Sequence, residues 1–149
     1  MSEILFTNAR LIDPVTLTDA PGWLRVAKGK IVESGDGKAP EAKGEVVDCG
    51  GLCLAPGIID IGVKVSEPGE RHKESFRSAG KAAAAGGVTT IVTRPDTTPA
   101  IDSPEILEFV ARRAAAEAIV NVLPMAALTK GRAGREMTEI GFLQDAGAV

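Results

Sequence analysis

Side chains able to do chemistry concentrate between Asp60 and Asp96. Lys64, Arg71 and Arg94 could together hold an anion, because ammonium and guanidinium groups donate to carboxylate or phosphate oxygens. A plainer role for Lys64 is a structural ion pair with Asp60 or Asp96, and that role is the expected one. Asp60, Glu67, Glu74 and Asp96 carry oxygen donors of the kind that hold Mg²⁺ or Ca²⁺. Carboxylates at loop ends are commonplace, however, and separate roles are expected for them. His72 is the only histidine. Flanked by Arg71 and Lys73, it reads as a solvated loop residue. Ser66, Ser75 and Ser78 have no sequence context for a nucleophile. No G-x-x-x-x-G-K-[ST] phosphate loop occurs. Cys49 and Cys53 have no companion thiol or histidine for a zinc site and are expected as small buried residues at a strand edge.

The elements that must position these residues change character along the chain. Residues 1–53 read as a β-rich segment of short apolar runs broken by turns: Ile4–Phe6, Asn8–Asp13, Trp23–Val26, Ile31–Glu33 and Glu45–Cys49. Residues 54–149 read as alternating strands and helices. Leu54–Val65 is a mostly apolar run that suits a strand buried on both faces. Lys73–Ala85 is Ala-rich with helical spacing, and Gly86-Gly87 ends it. Val88–Thr93 is β-branched and strand-like. Asp102-Ser103-Pro104 opens a helix that runs to about Glu117. Ile119–Leu123 is a third apolar strand, Arg135–Ala146 a third helix, and Ala148-Val149 the start of a fourth strand. Strands alternating with helices imply a parallel sheet with right-handed crossovers. Three such units leave an unpaired strand edge and one apolar face. The 149 residues fall short of the ~250 of a complete barrel, so the chain is expected to be a piece of a longer protein or to depend on other chains.

Composition narrows the partners. Net charge is −3 and the pI about 5.2, with no basic stretch, which argues against nucleic acid and anionic membrane. Aromatic residues make up 3% and tyrosine is absent, so a base-stacking platform is not expected. The N-terminus has neither the basic nor the apolar region of a signal peptide. No run approaches a membrane span, and a cytoplasmic location is expected.

The most specific stretch is APGIIDIGVKVSEPGERHKESFRSAGKAAAAGGVTTIVTRPDTTPAID, Ala55–Asp102. It resembles the dihydroorotase branch (class I type) of the amidohydrolase superfamily. The pattern there is P-G-x-I-D-x-H-x-H-x-R-x-P-G, an Ala/Gly-rich helix ending G-G-x-T-T, and then M-P-N-T-x-P. Leu128–Gly131 and Gly147–Val149 also look like this family. The resemblance covers essentially the whole chain. It implies an α/β fold: a small N-terminal β-sandwich segment followed by the first three βα units of a TIM-like (β/α)8 amidohydrolase barrel. Gly57, Pro68, Gly69, Gly86, Gly87, Pro95 and Pro99 are matched as turn-forming scaffold.

The departures lie at functional positions. In active relatives two histidines at the end of the first barrel strand bind catalytic zinc; here those positions are Gly62 and Lys64. Glycine has no ligand atom, and an ammonium has no lone pair. The relatives' substrate-gripping Arg is Ser66 here, and their Asn is Asp96, whose charge would repel an anionic substrate. Arg94 replaces the neighbouring Met. Asp60 matches a family position near the metal. Without the histidine pair it is expected to satisfy backbone donors or, with Arg94, to line a residual pocket. The resemblance therefore implies a retained fold with hydrolysis lost. No catalytic residue, metal or cofactor is expected, zinc belonging to active relatives. By resemblance, the role implied is that of a scaffold or partner of aspartate carbamoyltransferase in pyrimidine biosynthesis, within a homo- or hetero-oligomer. The alternative is an active zinc-dependent dihydroorotase, or another cyclic amidohydrolase, that draws ligands from outside these residues.

Overall fold

A computed structural model of the chain describes residues 3–149. The chain divides into two compact units, one ending at Pro56 and the other Gly57–Val149.

The first unit is one five-stranded sheet. β1 (Glu3–Asp13) pairs antiparallel with β2 (Thr18–Ala27), which pairs antiparallel with β3 (Lys30–Gly35). β4 (Glu45–Asp48) and the short β5 (Cys53–Leu54) run parallel to β1. The two expected runs Ile4–Phe6 and Asn8–Asp13 are thus one strand, irregular between Phe6 and Ala9, where Asn8 has a φ of 50°. Leu5, Ala9 and Trp23 are its buried hydrophobic residues, and the Trp23 indole N–H donates to Asp36 O at 3.2 Å. The cysteines correct an expectation: Cys53 is exposed and Cys49 half-buried, both as free thiols. A two-residue strand has too little flanking structure to cover Cys53. Leu54 likewise pairs in this sheet, so the next strand begins later than the apolar run suggests.

The second unit alternates β6 (Ile58–Val63), α1 (Phe76–Ala85), β7 (Val88–Thr93), α2 (Pro104–Glu117), β8 (Asn121–Pro124), a 3-10 turn (Lys130–Arg132) and α3 (Ile140–Asp145). The three strands form one parallel sheet in the order β6-β7-β8. At the N-terminus of α1, Ser75 Oγ accepts from Ser78 N at 3.2 Å and Ser78 Oγ accepts from Ser75 N at 3.0 Å. This reciprocal cap satisfies two donors that no helical carbonyl can reach. It also starts the helix after Ser75, later than the expected Lys73. α2 begins at Pro104, where the missing N–H costs nothing. Its Leu107, Val110 and Ala114 recur at helical spacing and are buried. They meet Phe76 and Ala79 of α1, Ile91 of β7, and Val65, Ile101 and Leu143 in a single core.

The third helix is shorter than the expected Arg135–Ala146. Met137 bridges Thr129, Thr138 N donates to Leu128 O at 3.1 Å, and the buried Thr138 hydroxyl bonds Ala127 O at 2.9 Å. These bonds hold the residues before Ile140 extended. At the far end, Val149 N donates to Pro124 O at 3.2 Å. β6 is an edge strand among the described residues, with Ile58, Ile59 and Ile61 exposed. No helix in the described residues is long and apolar enough to cross a membrane.

Leu107 is fully buried at the centre of this core. Leu107→Ala is expected to lower unfolding free energy by ~3 kcal/mol, read from the denaturant midpoint. Glu108→Ala, on the exposed side of the same helix, is expected to leave the midpoint near wild type.

Candidate functional site

The strand ends carry the chemistry. β6 is not a uniform strand: Ile61 pairs with Val92 and Val63 with Thr93, leaving Gly62 as an extra residue. Its φ is +93°, a value L side chains rarely adopt. Plain alternation would put positions 62 and 64 on one face of the strand, and the bulge interrupts it at Gly62. An isolated glycine within a strand pattern is itself a signal for such a bulge. Nearby, a Cβ on Gly57 would lie 2.2 Å from the Thr89 side chain, so this close approach of β6 to β7 requires glycine.

Just past the bulge, Lys64 Nζ donates to Asp96 Oδ2 at 3.2 Å, and Arg94 Nη2 donates to the same oxygen at 3.0 Å. Both cations are about half exposed, whereas the Asp96 side chain is only 9% exposed. Asp96 Oδ1 is buried without a partner, as is the Thr93 hydroxyl at the end of β7. Burial pushes the Asp96 carboxyl up. The Lys64 hydrogen bond and the charges of Arg94 and Lys64 more than offset this, and it titrates below the usual carboxylate range. Of the pairings open to Lys64, the structure selects Asp96; Asp60 is exposed on β6 and stands outside that pair. Arg94, like Lys64, is paired with Asp96 and not with Asp60.

The remaining candidates go elsewhere. Ser66 is buried and its carbonyl accepts from Glu70 N at 2.8 Å. Glu67, 5% exposed, has Oε1 bound by Arg113 Nε at 2.9 Å and Nη2 at 2.8 Å, while Oε2 accepts from Phe76 N at 3.2 Å. Arg71 Nε lies 3.7 Å from Glu67, whereas Lys64 and Arg94 meet at Asp96. Three cations converging on an anion is therefore not the arrangement found. Glu74 accepts from the Ser78 hydroxyl, and His72 is exposed. The four carboxylates are dispersed, and the described residues contain no group of three His, Cys, Asp or Glu side chains able to hold a metal. The donors at 62 and 64 do not fit a zinc ion: one position has no side chain, and the other has an ammonium already bonded to Asp96.

Sequence reasoning treated Glu67 only as a possible cation ligand and passed over Arg113. Their pairing, with two guanidinium nitrogens on the single oxygen Oε1, ties the loop after β6 to α2, while Oε2 reaches α1 through Phe76 N. Arg113 follows Val110 by three residues, beside the buried stripe of α2, and that position was the available signal.

Parallel βα units with their polar residues gathered at the strand ends define the opening of an amidohydrolase-type barrel. The solved structures that resemble the chain have this fold. L-hydantoinase (dihydropyrimidinase) from Arthrobacter aurescens superposes with a TM-score of 0.83 at 24% identity, over 99% of this chain and 32% of that one. D-hydantoinase (dihydropyrimidinase) from Thermus sp. gives 0.71 at 23% identity, over 95% and 30%. Residues 51–149 match the dihydro-orotase-like family model, and the chain belongs to that family. Relatives named dihydroorotase include those of Wolbachia sp. subsp. Drosophila simulans (44% identical over 148 residues) and Solibacter usitatus (42% over 149). These alignments cover 99% and 98% of this chain, and 33% and 34% of the relatives. The chain thus spans about a third of the length of the curated relatives it matches.

The sign of the Asp96 shift sets a pH dependence. A carboxyl whose folded value is depressed contributes stability that is present above its unfolded value of ~3.9 and lost as pH falls through the folded value. Thermal melts across the acid range below about pH 4 are expected to show this loss, and Asp96→Asn should make that limb shallower. An unchanged acid limb in Asp96→Asn would mean that the carboxylate carries no such coupling.

Proposed function

We propose that this protein is a dihydroorotase-like scaffold of pyrimidine biosynthesis that performs no metal-assisted hydrolysis and associates with aspartate carbamoyltransferase in a cytoplasmic hetero-oligomer. The observation that carries the reading is the Lys64–Asp96 pair at 3.2 Å. It stands where the family resemblance puts a zinc ligand and a substrate contact. Zinc-assisted hydrolysis depends on the ion to generate hydroxide at neutral pH, and a lysine engaged with a carboxylate cannot coordinate that ion. Ser66 and Asp96 supply neither the guanidinium nor the neutral amide that active relatives turn toward a substrate carboxylate. The exposed β6 edge, with Ile58, Ile59 and Ile61 uncovered, supports dependence on further polypeptide.

A second reading has its own support. The curated relatives are named dihydroorotase at about 40% identity, so ligands from outside these residues could build a working zinc site.

One experiment separates the two. The product of the complete reading frame is purified through an affinity tag from its native cells. It is then assayed for dihydroorotate turnover and for co-purifying carbamoyltransferase activity. The scaffold reading expects no turnover and carbamoyltransferase activity that co-purifies with the tagged protein and is absent from an untagged control. Turnover in the metal-supplemented preparation, without association, would establish the hydrolase instead.

A further inference from the structure

The end of β6 has been rebuilt around Asp96 rather than simply emptied of ligands. An ionised carboxylate that is nine-tenths buried is costly unless charge and hydrogen bonds compensate it. Here the side-chain hydrogen bonds fall on one oxygen: Oδ2 takes both Lys64 and Arg94, while Oδ1 is enclosed without a side-chain partner. The two donors differ in kind. Arg94 is two residues away on the same segment, so its contact fixes only the local turn. Lys64 is thirty-two residues away and is the side chain that ties the end of β6 to the loop after β7. Its reach depends on the bulge at Gly62, which inserts one residue into the pairing and redirects the backbone two positions before Lys64.

We infer that Lys64 is a tethered cation, aimed by the Gly62 bulge, that neutralises buried Asp96 and latches the end of β6 to the loop after β7. This inference rests on the non-hydrolytic reading and deepens it. A covalently held ammonium here performs the charge-balancing and cross-linking that a bound ion would otherwise supply, and it needs no ligand set. Two obstacles then stand against a metal. An imidazole at position 62 would have to leave a φ of +93°, and one at position 64 would strip Asp96 of its long-range partner. Lys64 and Asp96 are therefore coupled: neither can be changed alone without loss, but both can be changed together.

A double-mutant cycle on the complete protein tests this. Lys64→Met is expected to lower the melting temperature by roughly 3 °C or more, because Asp96 stays buried with a single donor. Lys64→Met combined with Asp96→Asn is expected to recover at least half of that loss. Equal losses from Lys64→Met in the wild-type and Asp96→Asn backgrounds would overturn the latch. As a second readout, the G62H/K64H variant is titrated with Co²⁺ and followed by its visible ligand-field absorption. No tight cobalt complex is expected; a tight complex would show that the site had lost only its ligands. Neither readout depends on the wild-type assay, so dihydroorotate turnover by wild type would sink the scaffold reading separately.

Discussion

A largely buried carboxylate must be neutralised where it lies, and Asp96 meets that constraint with two cations on one oxygen. Lys64 has to reach across from the end of β6, and Arg94 has to turn back from the end of β7. These contacts add a side-chain link to strand ends already joined by the backbone bond from Arg94 N to Val63 O at 2.9 Å. The polar end of the sheet is thus organised by a charge the protein carries itself. A second buried carboxylate, Glu67, repeats the principle a few residues on. Arg113 binds it through two donors, and Phe76 N adds a third bond at the start of α1. Together the two carboxylates fix the segment after β6 against its neighbours, and both are engaged in doing so.

This accounts for how the scaffold accommodates changes at the positions where the family resemblance puts metal and substrate contacts. The hydrophobic core lies between the sheet and its helices, with Phe76, Ile91, Leu107 and Val110 at its centre. It includes Val65, beside Lys64, but not Lys64, Arg94 or Asp96. Substitutions at those three positions bear on local electrostatics more than on core packing. Lys64 with Asp96 is such a solution: an opposite-charge pair in which each residue removes the cost of the other. Gly62 adds backbone freedom that a side chain would forfeit.

Much of the fold was legible in the sequence because local signals and burial agreed. Pro104 after Asp102-Ser103 marks the start of α2, and the β-branched Val88–Thr93 run is β7 in full. The misreadings have separate causes. Ser75 and Ser78 cap each other, which delays α1 past Lys73. Thr138, whose buried hydroxyl bonds Ala127 O and Leu128 O, holds the chain extended where apolar spacing suggested helix. The bulge at Gly62 was signalled by the glycine itself, an isolated glycine inside an otherwise apolar, strand-like run. At the site, the Lys64–Asp96 pair was among the foreseen alternatives. The engagement of Glu67 was not, because its partner Arg113 lies forty-six residues away on another element, and sequence spacing carries no information on such contacts.

The central claim, that positions 62 and 64 now serve a charge latch and no longer a metal centre, is met most directly by metal analysis. The protein from the complete reading frame, purified without chelator, would be analysed by inductively coupled plasma mass spectrometry after growth with added zinc. The account predicts clearly substoichiometric zinc and other transition metals. Stoichiometric zinc that survives dialysis would contradict it, because ligands beyond Gly62 and Lys64 would then have preserved the centre.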